Sequence, residues 1–466
     1  PAAPNKARPL FDDAAFAAEA AAYLDAHPET EKVELLFPDA NGVIRGKWVP
    51  ADDLPKLASA SVRLPISAYA LDIWGEDVDA AGLALALGDP DGLAHPAPGT
   101  LVPVPWAVRP TAQVMMSLSP ADAPDEPCPY DPRSRLYAVL ERLARLGFTP
   151  VVAMELEFFV YRADSPPQGP PLPPHGAPEV GEASQIYDLD VMASFQPLLD
   201  DIREACLDQN VPVGTTIAEF GPGQFEINLL HVPDAMMAAD HAVMFRRIVR
   251  HVCRAHDLEA TFMAKPLDGQ AGSGLHMHAS LLNRAGVNVF SAPEDEFSPV
   301  LGHAIGGLLD TMGDCMAVFA PHANSYRRFQ PNAYVPMSPC WGFDHRGVAV
   351  RVPSTSGPAA RLEHRVCGAD ANPYLALAAM LGGILKGLEA SREPPEPLDG
   401  QVEPIASDRL PTDWASALAR FETSTVAQEI FGEDFHRVYT ACRRSELGVF
   451  NATITDLEYK TYLRRL

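Results

Sequence analysis

The chain has 466 residues, 47% of them apolar and 21% charged, which excludes global disorder and suits two or more domains with substantial cores. Its 36 basic and 61 acidic side chains give a formal net charge of -25. So acidic a surface repels phosphate backbones and argues against a nucleic-acid partner, and no apolar run reaches the roughly 18 residues of a membrane span.

In chain order, residues 12–26 are Ala-rich with spaced apolar positions and predict a helix. VELLFPDANGVIRGKWV at 33–49 holds two apolar runs around Asn41-Gly42, a hairpin signal. Strand-like pieces follow at 83–87 and 112–118. SPADAPDEPCPYDP at 119–132 is rich in Pro and Asp and sets the domain boundary, giving a small mixed α+β unit over 1–119 and a larger one over 120–466. The larger unit alternates helices at 133–147, 191–209, 232–256, 297–319 and 372–390 with strands at 149–162, 212–219, 223–230, 259–266, 275–283, 347–353 and 361–366. The Pro-rich segment 392–411 reads as an exposed loop, and helices finish the chain. The seven cysteines form no CxxC pair, and their odd number suits a reduced, cytoplasmic protein. The Pro-rich N-terminus lacks a signal-peptide core.

Four strand segments carry polar residues where a core strand is apolar. In MELEFFV, Glu155 and Glu157 share one face while Met154, Leu156 and Phe158 take the other. Two like charges side by side call for a cation or water between them. A solvated sheet face gives the same pattern. In IAEFGPGQFEINL, Glu219 and Glu226 flank a Gly-Pro-Gly turn, and folding back there brings two more carboxylates together. In GQAGSGLHMHASL, glycines at 269, 272 and 274 permit close approach to a ligand, after which His276, His278 and Ser280 alternate onto one face. In ARLEHRV, Arg361, Glu363 and Arg365 share a face, with Arg346, Arg351, Arg327 and Arg328 nearby in sequence. Each Arg taken singly fits a surface salt-bridge ladder as well. Together, five carboxylates, two histidines and several arginines suit Mg²⁺ or Mn²⁺ and a multiply anionic ligand such as a nucleoside triphosphate. No P-loop pattern or zinc-ligand spacing is present.

In this order, MELEFFV, EFGPGQFE, KPLDGQAGSGLHMHAS, NSYRRF, RGVAVRVP and RLEHRVCGADANPY resemble the glutamine synthetase superfamily, from about Val33 to Leu466. The resemblance implies a β-grasp-like N-terminal domain and a catalytic domain on a curved antiparallel sheet flanked by helices. It implies a homo-oligomer as well, commonly two stacked hexameric rings. Carried over by motif, Glu157, Glu219 and Glu226 would hold one divalent ion, and Glu155, His276 and Glu363 a second. Arg328 and Arg365 would grip glutamate, assisted by the backbone near Gly272. His278, Ser280, Arg346, Arg351 and Arg361 would serve ATP or the transferring phosphoryl group. The implied activity is ligation through a γ-glutamyl phosphate, with a mobile flap excluding water.

Where glutamine synthetases place two acids for ammonium, this chain has Leu64, in SVRLPISAYALD, and Tyr334, in FQPNAYVP. Neither side chain supplies a carboxylate. The pattern NSYRRFQPNAYVP…WGFDHR looks like the γ-glutamyl-amine ligases, such as γ-glutamylpolyamine synthetases, with Tyr334 and Trp341 lining an amine pocket or else packing. Ala271 replaces the usual Asn of the glutamate-covering loop, and the adenylylated tyrosine of some bacterial glutamine synthetases has no equivalent. The competing readings are a glutamine synthetase drawing on Asp72, a ligase for an aromatic amine, and a non-catalytic relative. The last would not be expected to keep all six metal positions.

Overall fold

The computed structural model describes residues 7–293, 296–330, 333–400 and 409–466. The helix Asp13–Ala26 forms as expected, capped by the Asp12 carboxylate accepting the Ala15 N–H at 3.0 Å. The hairpin follows as β1 (Lys32–Pro38) and β2 (Ile44–Pro50). Gly42 turns it at a φ of +76°, and the buried Asp39 carboxylate accepts the N–H groups of Asn41 and Val43. Further along come β3 (Val62–Pro65), β4 (Asp91–Pro96), β5 (Val102–Pro103) and β6 (Thr111–Pro120).

Among the described residues these strands form one six-stranded sheet, ordered β2-β1-β6-β4-β3 with β5 on β6, in which β1 and β6 run parallel. Its two faces enter different cores. Val33, Leu35 and Phe37 of β1 pack with Phe16 and Ala20, whereas Leu36 and Met115 join the large core of the rest of the chain. The strand expected at 83–87 does not form. Leu83 is buried, but Leu85 and Leu87 stand 89% and 62% exposed in turns. The strand is β4, a little further on, and β3 was not anticipated.

The second sheet contains β7 (Thr149–Arg162), β8 (Val213–Ala218), β9 (Gln224–Leu229), β10 (Leu258–Thr261), β11 (Leu275–Leu282), β12 (Trp341–Phe343), β13 (Val350–Ser354) and β14 (Arg361–His364). Its order is β12-β13-β14-β11-β7-β9-β8, with β10 on β7, and every pairing except β12 with β13 is antiparallel. On β7, Val152, Met154, Leu156 and Phe158 are buried in the large core, leaving Glu155 and Glu157 on the other face. That core is completed by the helices Ala235–Ala255, Pro299–Met312 and Pro373–Ala390. The last two touch backbone to backbone: a Cβ on Gly387 would lie 1.9 Å from the His303 carbonyl oxygen.

Several expected elements shift. The helix over 191–209 is two pieces meeting at Phe195, and the helix over 297–319 stops at Met312 before a short turn of helix at Met316–Phe319. The strand at 259–266 ends at Thr261, the one at 347–353 slides to Val350–Ser354, and β12 was not anticipated. Residues 392–400 are irregular as expected, and the remainder of that loop, 401–408, lies outside the described residues. The chain closes with the helices Trp414–Thr423, Thr425–Phe431, Glu433–Ala452 and Asp456–Tyr462. No described helix is long and apolar enough to cross a membrane.

A buried polar knot joins the C-terminal helices to the first sheet. Arg443 is fully buried and donates to Glu446 at 2.8 Å and to the Asn41 side-chain oxygen, while Glu446 accepts the Ile73 N–H at 2.8 Å. Asn41 in turn donates to the Leu71 carbonyl at 3.0 Å.

Candidate active site

The exposed face of the second sheet places chemistry-bearing residues in rows across neighbouring strands. In one row Arg351 of β13 is opposite Glu363 of β14, which is opposite His278 of β11. In the next, His276 of β11 is opposite Glu155 of β7, which is opposite Asn228 of β9. In the third, Glu157 of β7 is directly opposite Glu226 of β9. Directly opposed carboxylates repel, and Glu226 is buried.

Ligand atoms of Glu155, His276 and Glu363 all lie within 4.8 Å of one another, and so do those of Glu157, Glu226 and His276. His276 Nδ1 is 3.5 Å from Glu155 and 3.9 Å from Glu363. The hairpin of β8 and β9 does fold back at the Gly-Pro-Gly turn, but Glu226 faces Ile217, and the Glu219 N–H bonds the Gln224 carbonyl. Glu226 therefore directly opposes Glu157, while Glu219 lies on the same face near enough for its charge to raise Glu226 but outside both groups of close ligand atoms.

The electrostatics follow from this layout. Burial alone would raise the Glu155 carboxyl, but the adjacent imidazoles of His276 and His278 outweigh it and hold the group well below the usual carboxylate range. Glu363 is likewise held low against burial by His276, Arg365 and His278. Glu226 goes the other way: burial, then the charges of Glu155, Glu157 and Glu219, push it far above the carboxylate range. Burial and the neighbouring Glu157 raise Glu219 to about 7. Hard oxygen donors with one imidazole, two of them raised by burial and by the excess of neighbouring negative charge, fit divalent cations of the Mg²⁺ or Mn²⁺ type.

This makes a pH-dependent prediction. The raised carboxyls bind protons more tightly in the folded chain than in the unfolded one. Their stabilising contribution is complete below the ordinary 4.5 and is lost as pH rises through about 7 and beyond. A bound cation would take the place of those protons. The rise in melting temperature that millimolar Mg²⁺ gives to EDTA-treated protein is therefore expected to be small at pH 6 and to grow steadily towards pH 9. A shift of equal size across that range would contradict the assignment.

The arginines are held by specific partners. Arg351 donates to Glu363 at 2.8 Å and pairs with Asp344, and Arg365 bonds Glu363 and donates from Nε to the Arg346 carbonyl at 3.1 Å. Arg361 donates to His278 Nδ1 at 3.3 Å, and His278 Nε2 lies 3.0 Å from Glu155 without meeting hydrogen-bond angles. The Arg346 side chain is exposed, and Ser280 is buried further along β11, opposite Val151. Arg328 is buried, donates to the Val366 carbonyl at 3.1 Å, and keeps an Nε without a hydrogen-bond partner. The glycine loop presses onto it: a Cβ on Gly272 would lie 2.6 Å from Arg328 Cγ, and one on Gly274 would lie 3.0 Å from His276 Nε2. The Gly274 N–H donates to Glu157 at 2.8 Å.

Tyr334 and Trp341 are placed differently from each other. Tyr334 is exposed, its ring stacked 6.3 Å from that of Phe220. Trp341 is buried, donates its indole N–H to the Pro395 carbonyl at 2.7 Å, and packs against Phe297 and Phe343. Leu64 is buried in the core of the first sheet. Asp72 is also buried, its carboxylate accepting the N–H groups of Trp74 and Glu76 at 2.9 Å each.

Two polar residues of the site were missed by sequence reasoning. Asn228 donates to Glu155 at 2.9 Å, and Gln224 reaches Glu157 at 3.4 Å and the Gly272 carbonyl at 3.0 Å. Both lie on Glu226's face of β9, two residues to either side, so strand alternation could have found them.

The sequence profile described as "Glutamine synthetase, catalytic domain" matches residues 129–462. The chain is 39% identical over 453 residues to gamma-glutamylputrescine synthetase PuuA of Escherichia coli (strain K12), covering 97% of this chain and 95% of that protein. It is 31% identical over 438 residues to the glutamate–isopropylamine ligase of a Pseudomonas species, covering 91% and 93%. It is 30% identical over 451 residues to gamma-glutamylethanolamide synthetase GlnA4 of Streptomyces coelicolor, covering 94% of each. A solved structure titled "Apo GmaS without ligand" superposes with a TM-score of 0.81 at 27% identity, covering 95% of this chain and 99% of that one. The chain belongs to the glutamine synthetase family.

Proposed function

We propose that this protein is an ATP-dependent ligase joining the γ-carboxylate of glutamate to an organic amine. The observation that carries the reading is the opposed carboxylates Glu157 and Glu226, ringed by Glu155, Glu363 and His276 and bordered by Arg351, Arg361 and Arg365. In this reading Glu157, Glu219 and Glu226 hold one divalent ion, and Glu155, His276 and Glu363 hold another. The chemistry such ions supply when bound is neutralisation of charge on the transferring phosphoryl oxygens.

Arg328 and Arg365 bind glutamate beside the Gly272 backbone, and the partnerless Arg328 Nε supports a role in ligand binding. His278, Ser280, Arg346, Arg351 and Arg361 serve the nucleotide. The γ-carboxylate oxygen attacks the γ-phosphorus of ATP and ADP leaves. A neutral amine nitrogen then attacks the acyl carbon of the γ-glutamyl phosphate, phosphate leaves, and one proton departs from nitrogen.

An organic amine rather than ammonia is supported by Leu64 and Tyr334, which stand where ammonium users need acids, and by three relatives each named for an amine product or substrate. Asp72 is occupied as the cap of its own turn, so nothing in its environment favours it as a substitute acid. A dodecamer of two hexameric rings fits this reading. The helix Asp456–Tyr462 buries none of its residues, and Leu457, Leu463 and Leu466 nearby are exposed, a surface suited to subunit contact. Seven free cysteines suit a reducing cytoplasm.

ADP release with glutamate, ATP and Mg²⁺ tests the reading. The best of putrescine, spermidine, ethanolamine and simple alkylamines is expected to exceed ammonium by about tenfold or more in kcat/KM. Preference for ammonium would overturn it.

A further inference from the structure

We infer that Asp370 is a positioning residue for glutamate: through Ser325 and across Gly368 it fixes the place at which Arg328 presents its guanidinium. The inference rests on the ligase reading above, in which Arg328 grips glutamate, and it adds a carboxylate to which that reading gives no part.

Little holds Arg328 directly. Among the described residues its guanidinium donates one hydrogen bond, from Nη1 to the Val366 carbonyl at 3.1 Å, and its Nε has no partner. One bond fixes one nitrogen and leaves the plane of the fork free to turn. A buried cation with so few partners depends on the charges and contacts around it.

Asp370 supplies that support with both of its oxygens. Arg328 ends the 3-10 helix Ala323–Arg328. Residues three apart in such a helix eclipse one another, so Ser325 stands before Arg328 on the same side. The buried Ser325 hydroxyl donates to Asp370 Oδ2 at 2.6 Å and accepts the His322 N–H at 3.0 Å, which ties the start of that helix to the Asp370 carboxylate. The other oxygen, Oδ1, is shut off from solvent and has no hydrogen-bond partner. It faces the guanidinium: a Cβ on Gly368 would lie 2.5 Å from Asp370 Oδ1 and 3.2 Å from Arg328 Nη1. The bare glycine leaves the gap across which the two charges meet. Burial lowers the Arg328 guanidinium, and the charges of Glu157 and Asp370 are the largest to oppose it.

Asp370 is itself held on a stiff turn. The Gly368 N–H donates to the Phe319 carbonyl at 2.9 Å, the Ala369 N–H to the Ser273 carbonyl at 3.0 Å, and the Ala371 carbonyl accepts Arg246 at 2.7 Å. Two residues on, Asn372 caps the helix Pro373–Ala390. Ser273 follows Gly272, so the glycine loop and Arg328 are both referenced to this one turn. A carboxylate anchored in this way transmits position to the group it touches.

Asp370→Asn keeps the shape, but its amide has one oxygen: either Ser325 loses its acceptor or Arg328 meets an N–H group. Ser325→Ala removes the tether alone. Amine-dependent ADP release is measured against glutamate and, separately, against ATP. Asp370→Asn is expected to raise the KM for glutamate about tenfold and to leave that for ATP within about twofold. Ser325→Ala is expected to raise the KM for glutamate about threefold, and the double variant to be no worse than Asp370→Asn, because both act through the same contact. Melting curves show which variants fold, and should Asp370→Asn fail to fold, the glutamate-to-ATP split in Ser325→Ala decides. In a folded variant, equal changes in both KM values, or no change in either, would overturn the inference. Failure of the ligase reading shows in the wild-type protein instead. Fastest turnover with ammonium would overturn the amine acceptor alone and leave the role of Asp370 in place, whereas ADP release indifferent to glutamate would overturn both.

Discussion

Glu363→Gln is expected to lower amine-dependent ADP release by about a thousandfold while the chain remains folded. The Glu363 side chain is 1% exposed and is the meeting point of the site. It receives Arg351 at 2.8 Å, bonds Arg365, and stands 3.9 Å from His276. Glutamine keeps the shape and one acceptor oxygen but removes the charge that holds two guanidinium groups side by side. In the proposed chemistry it also removes an anionic cation ligand, and that loss falls on the transition state. The fold is less exposed to the change, because Arg351 retains Asp344 and Arg365 retains the Arg346 carbonyl. A stability loss of about 3 kcal/mol follows, at the low end for removing one partner of a buried pair because the other contacts persist, while a thousandfold rate effect represents about 4 kcal/mol. Steady-state rates and a melting curve on the same preparation check both halves. Turnover within about tenfold of the wild-type protein would remove Glu363 from the machinery, whereas loss of folding would mark its charge as structural.

Gly272→Ala is expected to cut kcat/KM for glutamate by about a hundredfold, with a much smaller effect on the KM of ATP. The added methyl would sit 2.6 Å from Arg328 Cγ and 2.7 Å from the Ala264 carbonyl oxygen. Backbone cannot yield cheaply on one side, so the Arg328 side chain moves. Arg328 is buried and donates to the Val366 carbonyl, so moving its side chain disturbs that contact and the guanidinium proposed to grip glutamate. A displacement of about 1 Å in a positioning group commonly costs two orders of magnitude. Equal losses for both substrates would point instead to general disruption of the loop.

What the sequence revealed depended on whether local pattern or long-range register decided the outcome. Strand alternation placed Glu155 and Glu157 on one face and His276 and His278 on another strand's matching face, and β7 and β11 bear this out. Alternation cannot tell which strand lies beside which. The spacing of Glu219 and Glu226 around a turn suggested that they come together, and the charge of Glu219 does reach Glu226, but the residue directly opposite Glu226 is Glu157, some seventy residues earlier. The run Leu83–Leu87 has a strand's alternation, but its tip is exposed turn. The true strand, Asp91–Pro96, contains Gly and Pro and no β-branched residue. Trp341 and Tyr334 looked alike as candidate lining residues, and only burial and the Pro395 hydrogen bond separate them.

The knot of Arg443, Glu446, Asn41 and Ile73 bears on how this protein can be divided. A cut near residue 120 follows the change of sheet, but Arg443 and Glu446 arrive from the last fifth of the chain to satisfy main-chain and side-chain groups of the first. Expressed alone, residues 120–466 would present a fully buried ion pair, stripped of its Asn41 and Ile73 partners, to whatever surface replaced the missing unit. The first unit would lose the helix that covers Ala70, Val78 and Leu83. The two halves are therefore expected to behave as obligate complements, recovering solubility when co-expressed as separate chains rather than singly, much as subunits of a permanent heterodimer do.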